Sequence, residues 1–157
     1  MLATRLSRRA AVLTLFPGFF SAAAKVTGEE ILYVGGTIPD LPEATEGEMD
    51  LKNEDSLAFS SKKGSFEIPY RSIKTLEYGQ KAGRRVGVAI VITVWALFSK
   101  KRKHFLTIGF DSKEGKPHGV VLEIAKGRAK TFIAILEARS GKKVEYESEE
   151  ARKHVHG

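Results

Sequence analysis

Four histidines, His104, His118, His154 and His156, are the side chains of this chain best suited to proton transfer or metal ligation near neutral pH. Their spacing offers little chemistry. His104 stands at the start of an alternating strand pattern and His118 beside a turn, far from each other in the sequence. His154-x-His156 could supply two metal ligands, but with no cysteine in the chain and no paired aspartate nearby it lacks a third. Covalent catalysis needs a nucleophile poised beside a base, and no HExxH, GxSxG, Walker-type or dinucleotide glycine motif is present. Gly79, Gly83 and Gly87 lack the strand–loop–helix context of a phosphate cradle and read as a connector. Glu149-Glu150 followed by Arg152-Lys153 reads as a solvated helix face of little energetic weight. The residues therefore predict no enzyme, no cofactor and no metal.

A different constellation is concentrated in the middle of the chain. Arg84 and Arg85 precede Val86–Phe98, a run of 13 residues without a charge, and Lys100, Lys101, Arg102 and Lys103 follow it. An apolar block fenced by cations suits a surface that dips into lipid while its flanks hold anionic headgroups. As a helix the block would reach only ~20 Å, short of the ~30 Å hydrocarbon core, so it is not expected to span a bilayer alone. Trp95 and Phe98 stand near the lysine cluster, as aromatics do at a lipid interface. The contact residues this reading selects are Arg84, Arg85, Val91, Val94, Trp95, Leu97, Phe98, Lys100, Lys101, Arg102 and Lys103. The competing reading makes Val86–Phe98 a central strand or core helix whose ends are merely decorated with charge. Its β-branched residues favour a strand, while its even apolar content and length favour a short helical insertion.

The charge balance sharpens the contrast. The chain has 26 basic and 19 acidic residues, net +7, and residues 1–24 account for three arginines and no acid, leaving 23 against 19, or +4. Seven basic residues and no acid lie between Glu77 and Asp111; without them the remainder would stand at 16 against 19, or −3. The positive charge is local to the block. A nucleic-acid binder spreads basic residues along a groove with aromatics between them, so a membrane surface or a membrane protein is the partner implied, and nucleic acid is not.

The N-terminus carries an address. Arg5, Arg8 and Arg9 precede the apolar run Ala10–Phe20, broken by Pro17-Gly18, and Ala22-x-Ala24 supplies small residues for cleavage. This is the order of a secretory signal peptide over residues 1–24. Ser7-Arg8-Arg9-Ala10 also partly matches a twin-arginine signal. The expected location is exported, periplasmic or otherwise extracytoplasmic, with a possible peripheral membrane association.

The elements that would position the block are short. Ile31–Gly36, Gly47–Lys52, Leu57–Phe59, Phe66–Ile68 and Ile73–Tyr78 read as strands separated by tight polar turns. His104–Phe110 alternates, with Leu106, Ile108 and Phe110 on one side; Asp111–Lys116 reads as a hairpin loop, and Val120, Leu122 and Ile124 form the return strand. The period then changes. Ala129, Phe132, Ile133 and Leu136 fall on one face of a helix over Gly127–Arg139, and Gly141 is placed to cap it. Val144 and Tyr146 can reach back to the core, and residues 147–157 read as a polar, frayed or loosely helical tail.

The run Phe66-Glu67-Ile68-Pro69-Tyr70-Arg71-Ser72-Ile73, continuing to Tyr78, resembles the strand-and-turn signature of GRAM-type and bacterial pleckstrin-homology-like domains. The resemblance extends over about residues 28–146 through element order. It implies a mainly β (α+β) fold, a partly open antiparallel barrel of six to seven strands capped by one C-terminal amphipathic helix. The domain would occupy residues 25–146 with an insertion at 84–103, followed by the tail. One departure is plain. Where phosphoinositide-binding members carry cations on the first strands, Ile31–Leu51 holds Asp40, Glu43, Glu46, Glu48 and Asp50 and no lysine or arginine. The expectation is an exported binding module that docks through segment 84–103. The alternatives are a protein–protein or homo-oligomerisation module, and a small-ligand carrier using the barrel's open end.

Overall fold

The computed structural model describes residues 28–80, 90–93 and 103–157. The signal-peptide reading of residues 1–24 and most of the basic-flanked block lie outside the described residues. Eight strands are found among the described residues: β1 (Glu29–Gly36), β2 (Thr45–Asp50), β3 (Ser56–Ser60), β4 (Ser65–Pro69), β5 (Ile73–Gly79), β6 (Phe105–Asp111), β7 (Pro117–Glu123) and β8 (Val144–Tyr146). A single 3-10 turn, Tyr70–Ser72, separates β4 from β5. Helix α1 (Lys126–Ser140) follows β7, and helix α2 (Glu149–His156) follows β8.

The strands form one mixed sheet in the order β4-β3-β2-β1-β7-β6-β5-β8. Two antiparallel meanders, β1–β4 and β5–β7, are joined where β1 pairs with β7. β8 adds in parallel to β5, with Leu76 opposite Val144 and Tyr78 opposite Tyr146. Thus eight strands stand where six or seven were expected. The extra strand is Val144–Tyr146, three residues too short to carry a legible alternation. The two edges, β4 and β8, are not paired with one another, so the sheet does not close.

Alternation sets the two faces. On β3 and β4, Leu57 stands opposite Ile68 and Phe59 opposite Phe66, and all four turn inward. Phe59 and Phe66 stack with ring centroids 5.0 Å apart, and Tyr33 tilts against both. Helix α1 lays Ala129, Phe132, Ile133 and Leu136 on this inner face, the four positions that the sequence period selects. Gly141 ends α1 in the left-handed conformation at φ 69°, where a side chain would be strained, and its N–H donates to the Glu137 carbonyl. Arg139 ties the same end to the β2–β3 turn. Its guanidinium donates to the carbonyls of Leu51 and Asn53 and to the Tyr70 hydroxyl, and it lies over the Tyr70 ring.

The chain end differs from the expected tail. Residues 149–156 are a formed helix, capped by the Ser148 hydroxyl accepting from the Ala151 N–H at 3.1 Å. Glu149 and Glu150 occupy its first turn and Lys153, His154 and His156 its last, as the helix dipole favours. Ala151 and Val155, four residues apart, are buried in the main core.

Candidate functional site

The outer face of the sheet carries a second, smaller core. Val34 on β1, Phe105 on β6 and Val121 on β7 point outward yet are buried, with Ile92 packed over them and Leu32 and Ile90 at the margin. Residues 90–93 thus lie across the outer face as a strap. Gly35 makes the close approach possible, since a Cβ there would stand 2.9 Å from Ile92 Cγ1. Thr93 fixes the next position: its N–H donates to both oxygens of the Glu43 carboxylate, at 3.1 and 2.9 Å, and its hydroxyl donates to Oε2 at 2.7 Å. Val91, just before these anchors, is 74% exposed and is the exposed large hydrophobic side chain among the described residues.

Of the contact residues selected from the sequence, Val91 and Lys103 can be placed. Arg84, Arg85, Val94, Trp95, Leu97, Phe98, Lys100, Lys101 and Arg102 lie outside the described residues. Lys103 is not a free surface cation. Its ammonium donates to Glu123 on β7 at 2.8 Å, with both side chains about a quarter exposed. The block therefore divides: Ile92 belongs to a core, Lys103 to an intramolecular ion pair, and Val91 faces outward.

Beside the strap, the outer sides of β1 and β2 form an open groove of about 930 Å³. Glu30, Glu46, Glu48 and Glu123 line it, with Lys62 and Lys63 from the β3–β4 turn. A smaller notch of about 220 Å³ opens between β2 and α1, beside Leu51, Phe132 and Ile135.

The histidines fall into two environments. His118 Nδ1 lies 2.9 Å from the Thr37 hydroxyl and its ring stacks on Phe110, so it staples the β7 start to the segment after β1. His104 and His154 instead stack on each other, with centroids 4.0 Å apart and planes at 20°. Tyr78 completes the cluster: its hydroxyl lies 2.9 Å from His154 Nδ1, and its ring stacks near both imidazoles. His156 Nε2 makes a parallel link, 2.9 Å from the Tyr146 hydroxyl on β8. Burial pushes the Tyr78 phenol up to about 12, which keeps it a hydroxyl that can donate to a neutral imidazole. Burial lowers the pKa of His104, and burial followed by the neighbouring His104 lowers that of His154. Sequence reasoning placed His154 in solvent; the signal available was Ala151 and Val155 at helical spacing, two apolar positions in a polar segment.

Among the described residues no three histidine, aspartate or glutamate side chains converge as metal ligands, and no helix is long and apolar enough to cross a membrane. No protein-family model matches the chain, and no curated protein matches it significantly.

Proposed function

We propose that this chain is an exported, non-enzymatic binding module of pleckstrin-homology-like architecture that docks on an anionic membrane surface through segment 84–103. The observation that carries the docking reading is Val91, 74% exposed immediately before two anchored residues. Ile92 is buried beneath it and Thr93 is tied to Glu43, so an apolar side chain is held outward on a fixed strap. The cations that flank the strap in sequence supply the attraction to anionic headgroups, about 1 kcal/mol each near such a surface. The architectural part rests on element order: a four-strand meander, a three-strand meander joined to it through β1 and β7, and then helix α1. On β1 and β2 the groove presents Glu30, Glu46 and Glu48 and no cation, its two lysines coming from the β3–β4 turn, which favours the strap over the first strands as the lipid-facing element.

Vesicle sedimentation tests this. The protein should bind vesicles containing anionic phospholipid at low salt and dissociate toward 1 M salt, where the Debye length falls to ~3 Å. Replacing Lys100, Lys101 and Arg102 together by Gln should weaken binding on the order of a hundredfold. Lys103→Gln should matter less, because that ammonium already serves Glu123. Equal affinity for uncharged vesicles, or no vesicle binding at low salt, overturns the reading. Self-association that survives 1 M salt without vesicle binding selects an apolar homo-oligomer interface instead.

A further inference from the structure

The Tyr78–His104–His154 cluster takes no part in the docking reading. We propose that the stacked His104–His154 pair is an acid-sensitive latch, which holds helix α2 on the sheet while both rings are neutral and releases it when they take up protons. The geometry carries this in three ways. His104 is 7% exposed, and neither ring nitrogen has a hydrogen-bond partner among the described residues, so a proton arriving there creates a buried cation without a hydrogen-bond acceptor among those residues. His154 lies face to face with it at 4.0 Å, so a second proton places two like charges in contact. Helix α2 has only eight residues, which cannot hold a helix in water without docking. Its docking rests on Ala151, Val155 and the two tyrosine–histidine links.

The charged neighbours on every packed element bear on the balance. Glu147 and Glu150, before and within α2, favour the protonated rings, whereas Lys126 at the start of α1 opposes them. Tyr78 on β5 and Tyr146 on β8 remain neutral hydroxyls in this range, both raised by burial. Glu147 is engaged elsewhere, since its carboxylate accepts from the Gln80 N–H at 2.6 Å. Desolvation is the largest influence on both rings, and both pKa values lie below the ordinary 6.5. The unfolded segment therefore binds protons more readily than the docked one. The stabilisation is complete above about pH 6.5 and drains away as pH falls through the lowered values.

Amide hydrogen exchange on the full chain, corrected for intrinsic rates, tests the latch. Between about pH 7.5 and pH 5, protection of residues 152–157 should fall about tenfold or more, while Leu106 and Ile108 on β6 keep theirs. His104→Phe keeps a stacking ring without a titrating group and should remove most of that fall. Unchanged protection across the range, or an equal fall in His104→Phe, overturns the proposal. Ring titration by NMR in the unaltered protein provides a second measurement independent of that variant. Midpoints below 6.5 that coincide with loss of α2 support the latch, and midpoints at or above 6.5 for both rings sink it.

Discussion

Helix α1 covers the inner face of the sheet with four buried side chains along a 15-residue element, whereas the described cover of the outer face is Ile92 on a four-residue strap. The inner cover is regular and cooperative: each turn of the helix adds another contact to the same core. Among the described residues, the outer cover is held by one side chain seated over Gly35 and one carboxylate bonded to Thr93. Among the described residues, the inner cover is therefore spread along a helix, whereas the outer cover is concentrated at Ile92.

Substitutions can break this comparison. Leu136→Ala, at the centre of the inner stripe, should cost about 2–5 kcal/mol in chemical denaturation, whereas Lys130→Ala on the exposed side should stay within ~0.5 kcal/mol. Equal small effects would mean that α1 does not anchor the inner core. Ile92→Ala should fall near the lower end of the same range, about 2 kcal/mol, since it sits in the smaller of the two cores. Gly35→Ala should cost about 1–3 kcal/mol by overpacking against Ile92. Combined with Ile92→Ala, most of that cost should vanish, because the shortened side chain makes room for the new methyl; a double-mutant cycle reads the coupling directly. Additive effects would place the strap elsewhere. Thr93→Val should cost about 1 kcal/mol through the lost hydroxyl bond to Glu43. The smallest effect belongs to Val91→Asp, which should leave stability within ~0.5 kcal/mol while reducing vesicle binding.

The histidines make a second comparison, one that explains what was readable. His118 and His154 both lie beside a hydroxyl at 2.9 Å, but His118 joins a strand to a loop while His154 joins a short helix to a strand 76 positions away. Neither partner is visible in a linear pattern. The α1 stripe was legible because Ala129, Phe132, Ile133 and Leu136 repeat at the helical period over a long element. The strands of β3, β4 and β6 were legible through alternation, and their turns through Asn53, Gly64 and Gly115.

What the sequence determined by itself is thus the local periodicity: where the seven longer strands lie, where α1 runs, and which of its faces turns inward. Backbone geometry makes those features a matter of neighbours three, four or two positions away. Only the tertiary structure decided that residues 149–156 form a docked helix, that Val144–Tyr146 adds an eighth strand, and that Ile92 is core while Val91 is surface. Each of these depends on groups brought from distant parts of the chain. Ala151 and Val155 gain their burial from the core, β8 gains its hydrogen bonds from β5, and Ile92 finds its seat over a glycine on β1. A polar helix of two turns or a three-residue strand has too little local free energy to announce itself, so long-range contacts settle its state.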